Sequence, residues 1–115
     1  MPRPIRISDL GIRIGRFDAG PADAISDVSG VRVAASTVIF GEGRLQRGHG
    51  PVRTGVTAIL PRAASEMGHP FFAGTHRLNG NGELTGLEWI RESGLLTSPI
   101  CLTNTHSIGV VHDAM

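Results

Sequence analysis

Apolar residues in this chain fall into short runs, and between the runs stand the glycine, proline, Asx and serine residues that favour turns. Residues 31–39 are rich in β-branched side chains and are bounded by Gly30 and Gly41, which predicts a strand. Before it, residues 18–27 carry Gly20-Pro21 and several Asp and Ser residues, and they read as loop. A glycine-rich connection over 41–51 leads to Val52, Val56, Ile59 and Leu60, a second strand that ends at Pro61 and is clearest over 55–60. After a largely polar stretch, residues 71–78 return to strand composition and predict a third strand. Thr85-Gly86-Leu87-Glu88 has capping-box spacing, in which the Thr hydroxyl accepts from an amide three residues on and the Glu carboxylate reaches back. A short helix over 86–93 follows, with Ser93-Gly94 as its left-handed stop. Residues 99–103 predict a buried strand, and another apolar run opens at Gly109.

Sixteen glycines and seven prolines in 115 residues argue for many short elements rather than a helical bundle, so the fold class is α/β. The length is that of one domain, and 40% hydrophobic residues are enough to expect a core. Eleven Lys and Arg stand against ten Asp and Glu with no run of like charge, which excludes a phosphate-tracking surface, and nucleic acid is not an expected partner. The basic N-terminus lacks the apolar stretch of a secretory signal, and no apolar run approaches membrane-spanning length. The expectation is a soluble, cytoplasmic protein with no membrane partner. Cys101, the one cysteine, has no internal disulfide partner; in its apolar run it reads as a small core residue. Trp89, the one tryptophan, reads as a packing residue of the helix.

Candidate chemistry concentrates in Leu78-Asn79-Gly80-Asn81-Gly82-Glu83-Leu84-Thr85-Gly86, between a predicted strand and a predicted helix. Its glycines approach a dinucleotide fingerprint, yet the acidic residue that pattern wants some 20 positions later is absent and Glu83 would repel a phosphate. A purely structural turn is the plain alternative. The third reading is a substrate-facing loop, in which Glu83, next to a helix start, receives a cation such as a free amino group. His106 and Ser107 are adjacent and, if extended, face opposite ways, so they do not make a nucleophile–base pair. His76, His106 and His112 lack metal-ligand spacing, and no metal or cofactor is expected.

Several spaced segments together carry a resemblance. Ala24-Ile25-Ser26-Asp27-Val28-Ser29-Gly30-Val31, then Val52-Arg53-Thr54-Gly55-Val56-Thr57-Ala58-Ile59-Leu60-Pro61, then the 78–86 loop, Glu92-Ser93-Gly94 and Thr103-Asn104-Thr105-His106-Ser107-Ile108-Gly109-Val110-Val111 resemble, in order, the motifs of the DmpA and β-peptidyl aminopeptidases, peptidase family S58. The likeness covers nearly the whole chain; Ala34-Ala35 departs from it, standing where the family usually has Gly-His.

The resemblance implies the N-terminal portion of a DmpA-like αββα sandwich, of the N-terminal-nucleophile-hydrolase kind, with residues 1–115 as a single incomplete domain of the α chain. It implies a precursor that cleaves itself, after which the N-terminal serine of the β chain attacks the substrate carbonyl. No catalytic residue is then expected in this chain. Ser107 to Met115 carry no stop signal and read as interrupted. Glu83 is expected to bind the substrate's amino group, and Asn79 and Asn81 to shape the loop around it. The implied substrates are peptides, amides or esters with a free amino group. The implied partners are the remaining C-terminal segments or β chain, within a homo-oligomer. The alternatives are a non-catalytic binding or assembly domain that keeps the fold, and a truncated gene product.

Overall fold

Two nine-residue runs of β-branched and small residues pair along their whole length in the computed structural model, which describes residues 5–115. They are β1 (Arg32–Phe40) and β2 (Val52–Leu60), antiparallel and unbroken in register from Arg32 opposite Leu60 to Phe40 opposite Val52. The 41–51 connection contains a cis Gly50-Pro51 bond and a local bridge between Gln46 and Gly50. Arg53 closes its mouth: one guanidinium nitrogen donates to the carbonyls of Phe40 (3.0 Å) and Val52 (2.6 Å), the other to that of Gly41 (2.9 Å).

Gly55, in the middle of β2, lies so close to β1 that a β-carbon there would collide with the Ser36 carbonyl oxygen and stand 3.2 Å from the Thr37 α-carbon. A strand interior tolerates glycine poorly unless another backbone needs its space, and here one does.

Beyond β2 come β3 (Phe71–Phe72), α1 (Leu87–Ser93), β4 (Leu95–Leu96), β5 (Ile100–Leu102) and α2 (Ile108–Ala114). β5 runs antiparallel to β2 at Thr57–Ile59, giving a sheet of order β1-β2-β5, while β3 and β4 form a separate two-stranded pair. Single 3-10 turns occupy Ile7–Leu10, Ile25–Asp27, Ala64–Glu66 and Thr105–Ser107. The Asp27 carboxylate accepts from the backbone amides of Ala22 and Ala24 and so holds the N-terminal loop.

β1 and the helix agree with expectation to within a residue, and β2 contains the expected 55–60 but starts three residues earlier, at Val52. The third expected strand, 71–78, shrinks to two residues because its partner β4 is only two residues long, and strand composition without a ladder leaves 73–78 irregular. The helix does not begin with the expected capping box. Gly86 is its N-cap, in the left-handed region at φ 85°, and no side chain caps it. Glu88 therefore falls one position short of the box and pairs instead with Arg91 at 3.2 Å. The stop is as expected: Gly94 is left-handed at φ 69°, and Ser93 donates its hydroxyl to the Trp89 carbonyl. The run after Gly109 is helical, in α2.

Composition predicted a core, and among the described residues only Leu87 is buried, at 7% exposure. Trp89 is 58% exposed, and Ile100 and Leu102 in the strand expected to be buried are exposed as well. The physical cause is layering. A single sheet has two faces, and two helices of seven residues are too short to cover even one of them. The radius of gyration, 17.2 Å, exceeds the roughly 13 Å of a compact domain this long. Among the described residues no helix is long and apolar enough to cross a membrane.

Gly55→Ala should destabilise the sheet by about 1–3 kcal/mol, the cost of overpacking against a backbone that cannot move aside. Gly68→Ala, where an added β-carbon meets nothing within 4 Å and φ is not left-handed, should change stability by less than about 1 kcal/mol. Denaturation midpoints of the two variants, followed by circular dichroism, make the comparison.

Candidate functional site

α1 and α2 stand on either side of the segment that leads into β5, and a groove of about 370 Å³ opens between them. Ile90 of α1, Leu96 of β4, and Ile108 and Val111 of α2 give it apolar walls. Of its polar groups, Glu83 and Thr85 from the loop before α1 and His112 from α2 are exposed, while Ser98 and Thr103 are half-buried. An apolar cleft with a few polar groups at its edge is the usual form of a small-molecule site.

Glu83 is exposed, and among the described residues no hydrogen bond or ion pair engages its carboxylate. It stands free at the mouth of an apolar groove, available to a cation. Asn79 and Asn81 do not line the groove. Asn79 instead accepts the Asn81 backbone amide on its side-chain oxygen at 2.9 Å, an Asx turn that bends the chain ahead of Glu83. The structure thus brings Glu83 to the cavity and leaves both asparagines in the turn that leads to it.

Of the three glycines in this loop, Gly86 alone adopts a left-handed conformation. Gly80 and Gly82 do not, and a β-carbon on either would meet nothing within 4 Å. Neither backbone conformation nor packing within this chain accounts for glycine at those two positions. Cys101, expected as a core residue, is half-buried in the groove wall.

One polar node was not singled out from the sequence. Asn104, at the end of β5, donates through its side-chain amide to the Thr54 hydroxyl (3.0 Å) and to the Ser107 hydroxyl (2.9 Å), and accepts the His106 amide at 3.1 Å. Its neighbour Thr103 donates to the Gly55 carbonyl at 3.0 Å. Together they fasten the start of α2 to the centre of β2 and so fix one wall of the groove. The sequence signal for this is modest: Asn is a favoured cap residue, and Asn104 caps the 3-10 turn Thr105–Ser107. His106 and Ser107 lie in that turn rather than in an extended segment, with the Ser107 oxygen engaged by Asn104. His112 and its neighbour Asp113 approach to 3.9 Å, both largely exposed, a contact of little energetic weight.

The sequence profile of Peptidase family S58 matches residues 23–115. The β-peptidyl aminopeptidase BapA of Sphingosinicella microcystinivorans is 49% identical over 110 residues, which are 96% of this chain and 27% of that protein. A β-aminopeptidase from a Burkholderia species superposes with a TM-score of 0.82 at 55% identity, over 96% of this chain and 30% of its own. The L-aminopeptidase D-Ala-esterase/amidase of Ochrobactrum anthropi, described as a prototype for the serine aminopeptidases and a new variant among the Ntn hydrolase fold, superposes with a TM-score of 0.80 at 48% identity. It is covered over 30% of its length and this chain over 95%. The expected DmpA-like α/β fold is therefore present, and the chain spans less than a third of the length of the relatives it matches.

Asn104→Ala removes three hydrogen bonds at once, including the cap, and should destabilise the β5–α2 corner by about 1–2 kcal/mol. The loss should appear as faster amide hydrogen exchange at His106 and along α2, with exchange in β1 unchanged.

Proposed function

The chain belongs to peptidase family S58, and on that premise we propose that it is part of the α chain of a self-processing serine aminopeptidase that releases N-terminal residues from peptides, amides or esters bearing a free amino group. The observation that carries this reading is 49% identity to a β-peptidyl aminopeptidase across 96% of the chain. Within the chain it is supported by the free carboxylate of Glu83 at the rim of the apolar groove.

The chemistry divides the labour. Amide hydrolysis needs a nucleophile with an adjacent base, and donors aimed at the developing oxyanion. In this proposal the N-terminal serine of the β chain supplies the attacking oxygen. Its proton passes to the base, the carbonyl oxygen becomes the oxyanion, and the bond to the leaving amine breaks as that nitrogen takes the proton. Water then releases the acyl group from the serine. The present chain recognises the substrate: the Glu83 carboxylate receives the substrate ammonium, and the distance from that anchor to the serine sets which carbonyl is attacked. Gly80 and Gly82, unneeded by the fold, leave room for substrate to approach the loop backbone.

Two measurements test this. The 115 residues alone should show no aminopeptidase turnover, and assembly with the remaining family segments should restore it. In the assembled enzyme Glu83→Gln should lower kcat/KM for substrates with a free α- or β-amino group by about 10- to 100-fold, the loss of a charged hydrogen bond of roughly 1.5–3 kcal/mol. N-acylated substrates should be affected much less. Equal losses on both classes would make Glu83 a structural residue, and turnover by the isolated chain would overturn the assignment of the nucleophile to the β chain.

A further inference from the structure

We propose that Asn79 is a site of spontaneous self-modification, at which the Gly80 amide nitrogen closes on the Asn79 side chain and converts it, through a cyclic imide, to aspartate and isoaspartate. The sequence holds three asparagines, and the structure distributes among them the two features this chemistry needs. The first is a following residue with no side chain to obstruct attack and with the backbone freedom to reach the ring geometry. The second is a donor on the carbonyl oxygen, which turns negative when its carbon is attacked.

Asn79 has both. Gly80 follows it, and the Asn81 backbone amide donates to its Oδ1 at 2.9 Å. That bond curls the carboxamide forward over the Asn79–Gly80 peptide, on the side of the nitrogen that attacks. Among the described residues no hydrogen bond engages the Gly80 amide, and residues 79–82 are exposed. Asn81 has the glycine, Gly82, and among the described residues no donor on its side-chain oxygen. Asn104 has the donor, the His106 amide at 3.1 Å, but the β-branched Thr105 follows it. Its side-chain nitrogen, the group that would leave, is also held by Thr54 and Ser107. Every group that distinguishes Asn79 lies within residues 79–81, so the reactivity belongs to the loop itself.

In the reaction the Gly80 nitrogen forms a bond to Asn79 Cγ, the Cγ–Nδ2 bond breaks, and the proton lost by the Gly80 nitrogen leaves with Nδ2 as ammonia. Water then opens the ring at Cγ to give aspartate, or at the main-chain carbonyl to give isoaspartate, whose backbone is longer by a methylene. Either product sets a new carboxylate in the loop that leads to Glu83.

The test is incubation of the folded chain at mildly alkaline pH, followed by mass spectrometry of the tryptic peptide 78–91, which carries both Asn79 and Asn81. Fragmentation locates the mass gain of each converted amide, and an isoaspartyl methyltransferase detects the isoaspartate. Asn79 should react about fivefold faster than Asn81, the effect of an ordinary hydrogen bond on a barrier, and Asn104 should stay intact. In denaturant, where the bond from Asn81 to Asn79 is lost, the two should react at equal rates. Gly80→Ala, where an added β-carbon meets nothing within 4 Å and φ is not left-handed, should slow Asn79 at least about tenfold and leave Asn81 unchanged. The same order should hold when the chain is assembled with the remaining family segments. These readouts are masses, so they stand whether or not Glu83 binds a substrate amine. Equal or inverted rates at Asn79 and Asn81 in the folded chain overturn the proposal, as does an Asn79 that stays intact in the assembled enzyme or is indifferent to Gly80→Ala. If Gly80→Ala fails to fold by circular dichroism, the comparison of Asn79 with Asn81 in the native chain decides.

Discussion

The backbone of β2 touches the backbone of β1 at Gly55, and the rest of the architecture hangs on that close approach. It lets two nine-residue strands pair without interruption. β2 then offers its other side to β5 at Thr57–Ile59, the Gly55 carbonyl takes the hydroxyl of Thr103, and Thr54 takes the amide of Asn104. From that corner α2 departs, and with it one wall of the groove that Glu83 overlooks. The position of the groove is thus set by hydrogen bonds that return to β2 between Thr54 and Ile59, far from Glu83 in sequence.

What the sheet lacks is cover. Apolar residues are plentiful in composition, but the elements that carry them form one layer with short helices, and Phe72 at 94% exposure shows how little is enclosed. Burial arises where two layers meet, so hydrophobic content alone says nothing about whether a second layer is present. The relatives are more than three times as long as the stretch they share with this chain. The secondary structure here agrees with theirs at TM-scores of 0.80 and above even though the interior is open.

That division explains which parts could be read from the residues. β1 and β2 were legible because β-branched runs sit between glycines, and the end of α1 because Ser93-Gly94 is a left-handed stop. The start of α1 was not, since Thr85 and Glu88 have the letters of a capping box while Gly86 takes the cap position in a conformation only glycine adopts easily. The third strand failed because composition cannot announce the length of a partner, and the buried strand and packing tryptophan failed because burial is a property of layers. The family likeness was legible across nearly the whole chain, since several motifs in order are far more specific than any one, and the profile match over residues 23–115 covers the same stretch. Of the site, Glu83 stood out by its place before a helix. Asn104 did not, because its role depends on Thr54, fifty residues away.

The Arg53 clamp gives the 41–51 connection an unusual freedom. Three carbonyls at the mouth of the hairpin are held by one guanidinium, so the strands are closed before the connection contributes anything. The cost of lengthening such a loop grows only with the logarithm of its length, about 0.6 kcal/mol for each doubling. Extra residues placed there would leave the register of β1 and β2 untouched. The hairpin tip is accordingly the place where this chain can accept foreign sequence, whether an insertion acquired in evolution or a tag introduced by design, while the sheet and the groove stay where they are.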